Sequence, residues 1–157
     1  MTTRAEIGAP GAAGNVPAVS IVVPVYNESG NLAPLLDEIE AALAGRAWEV
    51  IAVDDGSADG SFEELVALRA RHPQLRIVRF VRNAGQTAAF AAGFRAARGA
   101  VLVTMDADLQ NDPADVPALL DALARSGLEA AVGWRMDRQD TGWKLVQSRI
   151  ANGVRNR

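Results

Sequence analysis

The chain has 157 residues, 49% hydrophobic and 22% charged, which suits one globular domain with a sizeable core. A net charge of −3 argues against a general nucleic-acid binder. With no cysteine and a single histidine, His72, the chain excludes disulfides, thiolate sites and His-based zinc centres, so any metal must be held by oxygen, as magnesium and manganese are.

Residues 1–18 are small and polar with Gly and Pro and read as a flexible leader, without a signal-peptide pattern. From Val19 the sequence alternates. "VSIVVPVY" (19–26) is a β-branched run that predicts a buried strand. Leu32, Leu35, Leu36, Ile39 and Leu43 follow at helical spacing, with Gly45 as a stop. "WEVIAVDDGS" (48–57) predicts a second strand ending in acidic and turn residues, and Phe62, Leu65, Val66 and Arg69 fall on a second helix closed by Pro73. "LRIVRFV" (75–81) is a third strand, followed by an Ala-rich helix ending at Gly99. "AVLVTM" (100–105) is a fourth strand. A fourth helix begins near Pro113 and carries Val116, Leu119, Leu120 and Leu123 on its apolar face. "LEAAVGW" (128–134) predicts a fifth strand, and Trp143, Val146, Ile150 and Val154 predict a basic amphipathic helix near the end. Apolar strands separated by amphipathic helices indicate an α/β fold with a mostly parallel sheet covered on both faces. No run of about 18 apolar residues is present to span a bilayer.

In such sheets ligands bind at the carboxyl ends of the strands. Each predicted strand ends in a polar cluster: "PVYNES", "DDGS", "RNAGQ", "DADLQ" and "WR". Asp106 and Asp108 repel each other unless a positive charge lies between them. With Gln110 nearby they offer the ligands magnesium uses beside substrate phosphates. A helix cap is the other reading of the pair, and Asp112 is better placed for that role. "DDGS" is a good turn, but one aspartate suffices for it, which leaves a carboxylate to accept a ring N–H or a ribose hydroxyl. Tyr26 offers an aromatic face under a base, or plain packing; Asn27 and Ser29 are candidates to start the helix. Arg135 and Arg149 suit phosphate, although a single arginine is more often a solvated surface residue. His72 reads as a cation at a helix end, and Trp134 and Trp143 as packing residues.

"VSIVVPVYNESGNL", "VIAVDDGSADGS", "RNAGQTAAFAAGFRAARG" and "VTMDADLQNDP", in this order, resemble the family 2 glycosyltransferases of GT-A fold. "DADLQ" and "GWRMDRQD…SRIAN" resemble more narrowly the branch that loads sugars onto polyprenyl phosphates, such as dolichol-phosphate mannosyltransferase and bacterial undecaprenyl-phosphate transferases. The resemblance covers residues 19–157 and implies a Rossmann-like GT-A domain whose C-terminal part is missing. It implies that Pro24, Tyr26, Glu28 and Asp55, with the backbone near Val53, hold the nucleoside. Asp106, Asp108 and Gln110 would bind Mg2+ or Mn2+ and the diphosphate, with Ala107 against the donor. Arg135 and Arg149 would face donor or lipid phosphate. The implied partners are a nucleoside-diphosphate sugar and a polyprenyl phosphate at the inner face of the membrane, with no nucleic acid; the oligomeric state is open. A truncated, non-catalytic nucleotide-sugar binder, or a family 2 transferase with another acceptor, is the alternative. A receiver domain and a haloacid-type phosphatase fit less well because their acidic residues belong after other strands, and a nucleotidyltransferase because its Gly-rich, Arg/Lys-bearing loop after strand one is absent.

Overall fold

The computed structural model describes residues 6–7 and 16–133. The elements run β1 (Glu6–Ile7), β2 (Val19–Val25), α1 (Leu32–Ala42), β3 (Trp48–Asp54), α2 (Ser61–Leu68), β4 (Leu75–Arg79), α3 (Gln86–Ala96), β5 (Val101–Thr104), a 3-10 turn (Pro113–Asp115) and α4 (Val116–Ser126). The sheet order is β1-β4-β3-β2-β5, with β2 to β5 parallel and β1 antiparallel to β4.

The two central strands are apolar on both faces because each face is covered. Ile21, Val23, Val50 and Ala52 turn toward α1 and α2, where Leu35, Ile39 and Leu65 close the larger core. Val22, Ile51, Val53 and Val78 turn the other way, onto α3. The alanines of α3 let that helix lie close to the sheet. At Gly93 the approach is so close that a Cβ would run into Val22 Cγ1.

The amino edge of the sheet is held by a buried carboxylate. Glu49, 1% exposed, accepts hydrogen bonds from Ser20 Oγ at 2.7 Å, Arg76 Nη1 at 3.0 Å, and Arg98 N, Nε and Nη2 at 2.8, 2.9 and 2.7 Å. Burial alone would push its pKa up; the bonds from Arg98, Ser20 and Arg76 outweigh that and hold the carboxyl below its ordinary value. His72 is also buried, just past α2, with Nδ1 2.8 Å from Glu40 Oε2 and Nε2 3.3 Å from Asp37 Oδ1, so it ties the end of α2 to the C-terminal half of α1.

Two expectations differ from the structure. Residues 128–133, read as most of a fifth strand, pair with no strand among the described residues, and Leu128 and Val132 are exposed. An apolar run becomes a strand only where a partner strand and a covering layer receive it. Among the described residues β5 ends the sheet on that side, with Leu102 half-exposed. The fifth strand of the sheet is β1, which comes from the segment read as leader and pairs with β4 at Glu6↔Arg79 and Ile7↔Val78. The predicted tail helix lies outside the described residues. Among the described residues, no helix is long and apolar enough to cross a membrane.

Candidate functional site

The chain builds β2, β3 and β4 outward in one direction and then returns to place β5 on the other side of β2. A doubly wound sheet opens its ligand crevice at such a reversal, outside the carboxyl ends of the strands. β2 pairs with β5 only as far as Val22↔Thr104, but stays paired with β3 through Val25↔Asp54. Beyond Val22 the two strands part, and a cleft of about 350 Å³ opens there. β2 contributes Pro24, Val25, Tyr26 and Glu28, and the chain beyond β5 contributes Asp106, Ala107 and Asp108. Asp55 enters from the end of β3, and Asn83, Gly85 and Gln86 from the loop that starts α3.

The structure therefore brings seven sequence-predicted residues to one cleft: Pro24, Tyr26, Glu28, Asp55, Asp106, Ala107 and Asp108. Val53 is not among its lining residues. Its side chain is fully buried against the α3 side, and its backbone sits in the ladder between Pro24 and Val78. Gln110 is also outside the lining; its N–H turns back to Asp108 Oδ1 at 3.1 Å. Leu109 makes that turn with φ +58°, a left-handed conformation that is costly for a side chain of this size. Arg135 and Arg149 lie outside the described residues. Asp112 caps the 3-10 turn, its Oδ1 accepting from Ala114 N at 2.9 Å, which removes the need for Asp106 or Asp108 in that role.

The two aspartates of "DDGS" divide their work. Asp54 is fully buried, holds its own turn through Ser57 N at 3.1 Å, and lies 3.4 Å from Arg79 Nε. Asp55 faces the cleft. Its two oxygens accept from the backbone N–H groups of Ala84 at 2.7 Å and Gly85 at 2.9 Å. Gly56 lets the two loops touch, since a Cβ there would stand 2.7 Å from the Arg82 carbonyl carbon and 2.8 Å from Asn83 N. A carboxylate oxygen has a second lone pair, so Asp55 holds the α3 loop and still has capacity for a ligand donor.

The Tyr26–Glu28 loop is tied to the loop after β3. Asn27, at φ +56°, donates its N–H to Ser57 Oγ at 3.1 Å and accepts from Ala58 N at 3.0 Å. Ser61 Oγ accepts from Glu28 N at 2.8 Å, and Asp59 Oδ2 from Ser29 N at 3.0 Å. The Ser61 hydroxyl and then the Ser29 N–H hold the Asp59 carboxyl below its ordinary pKa. Glu64 of α2 accepts from Gly30 N at 2.7 Å and Ala33 N at 3.3 Å, so it caps α1 from outside the helix. Asn27 and Ser29 thus bind across loops rather than within the start of α1. Tyr26, half-exposed, is presented on this rigid base.

Asp106 and Asp108 line the same cleft on either side of the buried Ala107. Among the described residues no group of three or more His, Asp or Glu is arranged to hold an ion alone. Two carboxylates in an otherwise open cleft fit an ion completed by substrate phosphates and water, the usual habit of magnesium. Asn83, Gly85 and Gln86 carry no chemical signature of their own in the sequence. The signal for them was the position of "RNAGQ" at a strand's carboxyl end.

Residues 20–156 match the family described as Glycosyl transferase family 2. The chain belongs to that family. A dodecaprenyl-phosphate galacturonate synthase of Rhizobium johnstonii is 45% identical over 125 residues, which are 78% of this chain and 37% of the relative. An undecaprenyl-phosphate 4-deoxy-4-formamido-L-arabinose transferase of Pseudomonas aeruginosa is 44% identical over 137 residues, 85% of this chain and 40% of the relative. This family 2 chain therefore spans about two fifths of the length of these curated relatives. The mannosyltransferase PcManGT of Pyrobaculum calidifontis, solved with GDP-Man and Mn2+, superposes with a TM-score of 0.62 at 28% identity, covering 74% of this chain and 36% of that one. S. aureus TarS 1–349 with UDP shares the fold at 18% identity and a TM-score of 0.60, covering 78% of this chain and 40% of that one. The GT-A fold and the likeness to polyprenyl-phosphate sugar transferases, both expected from the motifs, are borne out.

Proposed function

We propose that this family 2 chain carries the donor-binding part of a glycosyltransferase that moves a sugar from a nucleoside diphosphate to a polyprenyl phosphate. The observation that carries the reading is the cleft at the β2/β5 reversal, where Tyr26, Glu28 and Asp55 face Asp106 and Asp108. Tyr26 gives an aromatic face for the base, and the spare lone pairs of Asp55 accept its N–H or a ribose hydroxyl. Asp106 and Asp108 would hold Mg2+ or Mn2+, which supplies positive charge to the departing diphosphate when bound. The neighbour solved with GDP-Man and Mn2+ supports a divalent ion in this fold. Gln110, Val53, Arg135 and Arg149 stay in the proposal on the motif resemblance, the last two as contacts to donor or lipid phosphate.

An acceptor phosphate oxygen bonds to the anomeric carbon, and the bond from that carbon to the diphosphate oxygen breaks. The nucleoside diphosphate leaves with the bonding electron pair. Attack opposite the leaving group inverts the anomeric centre. The acceptor oxygen is already anionic at neutral pH, so the step needs no strong general base, in keeping with a cleft whose lining holds no histidine. The proposed place of the chemistry is the inner face of the membrane, where a nucleotide-linked donor and a lipid phosphate acceptor would meet.

Titration calorimetry of the full chain with UDP or GDP and Mn2+ tests the donor site. Asp108→Ala is expected to abolish the metal-dependent part of nucleotide binding; unchanged binding would refute the metal assignment. The second reading is a nucleotide-sugar binder without turnover. Transfer of radiolabelled sugar to polyprenyl phosphate separates the two.

A further inference from the structure

We propose that Gln86 is a positioning residue that sets Asp106 for metal binding. The proposal rests on the reading of Asp106 and Asp108 as a metal–diphosphate site. Gln86 opens α3 at the lip of the cleft, and its Nε2 donates to Asp106 Oδ1 at 2.9 Å. A glutamine in the first turn of a helix usually serves its own backbone or water; this one reaches a carboxylate 20 residues away, on another strand end.

The backbone from which it projects is fixed. Asp55 holds the N–H groups of Ala84 and Gly85, and Gly85 takes φ +92° to start the helix. The amide is thus anchored to the end of β3 and delivered to the chain beyond β5. It holds one oxygen of Asp106 and leaves the other directed by that contact. Asp108 has the matching arrangement, with Oδ1 accepting from Gln110 N.

The chemistry of the donor matters. A lysine or arginine here would neutralise Asp106 and compete with a cation for it. A neutral amide orients the carboxylate and leaves its charge in place. Partners of metal ligands that act in this way typically contribute 10–100-fold to metal affinity.

The test is Mn2+ uptake by the full chain, read as loss of the free-ion electron paramagnetic resonance signal, with and without UDP or GDP. Gln86→Ala and Gln86→Met, the second keeping length without a donor, are expected to weaken Mn2+ about 10-fold or more. Gln86→Lys is expected to weaken it further than Gln86→Ala. Exchange of the Ala84 and Gly85 amides should stay as in the parent, showing that the loop itself is intact. If Gln86→Ala and Gln86→Met bind Mn2+ within twofold of the parent while Asp106→Ala loses it, the positioning role is overturned and the metal site stands. If the parent takes up no Mn2+ under any of these conditions, the metal reading fails and this proposal fails with it.

Discussion

Replacing Asp55 tests how the cleft is held together. Its carboxylate, 3% exposed, makes two charge-assisted hydrogen bonds of 2.7 and 2.9 Å to consecutive backbone N–H groups. Each such bond contributes about 1.5–3 kcal/mol. Ala84 is exposed and Gly85 half-buried, so water reaches the released amides in Asp55→Ala, and the lower end, about 3 kcal/mol for the pair, applies. At roughly 2–4 °C per kcal/mol for a chain of this size, melting should fall by about 6–12 °C. Asp55→Asn should cost nearly as much, because its amide keeps one acceptor and turns a donor toward the second N–H. Scanning calorimetry reads the melting shift, and amide exchange at Ala84 and Gly85 reads the clamp itself. The reasoning is refuted if those two amides stay protected in Asp55→Ala, or if Asp55→Asn melts with the parent.

Two further predictions concern the scaffold. Glu49 has its folded pKa depressed below the ordinary 4.5, so its contribution is present above that pH and is lost as pH falls through the lower folded value. Glu49→Gln should cost about 3 kcal/mol at pH 7 and flatten the acid limb of the melting profile; an acid limb as steep as the parent's would contradict this. Gly93→Ala should destabilise by about 1–3 kcal/mol, against the usual gain for alanine in a helix, because the new methyl meets Val22. Val22→Ala in the same chain should recover part of the loss in a denaturant titration.

Much of the architecture could be read from local pattern. The β-branched run 19–25, the leucine spacing of α1 and the Asp112–Pro113 helix start depend on neighbours a few residues away, and each is where the pattern places it. Residues 128–133 pair with no strand among the described residues, since an apolar stretch needs a partner strand that its own sequence does not specify. The contacts that rigidify the cleft were illegible for a similar reason. Glu64 caps a helix 31 residues away, and Asp55 clamps amides 29 and 30 residues on; neither spacing repeats a local motif. Asn27 and Ser29 looked like helix-start residues because their cross-loop partners, Ser57, Ala58 and Asp59, are close only after folding.

The sequence by itself determined the alternation of strands and helices, the polar residues at each strand's carboxyl end, and through them the family. Those properties are local, and period and turn chemistry record them. The tertiary structure decided that β5 lies beside β2, that the two part beyond Val22↔Thr104, and that Tyr26, Asp55, Gln86 and Asp106 therefore share one cleft. It also decided that Asp55 rather than Asp54 faces that cleft. Strand order is a choice among long-range pairings that similar strands satisfy almost equally well. The balance comes from how helices pack on both faces of the whole sheet, which no short window of residues contains.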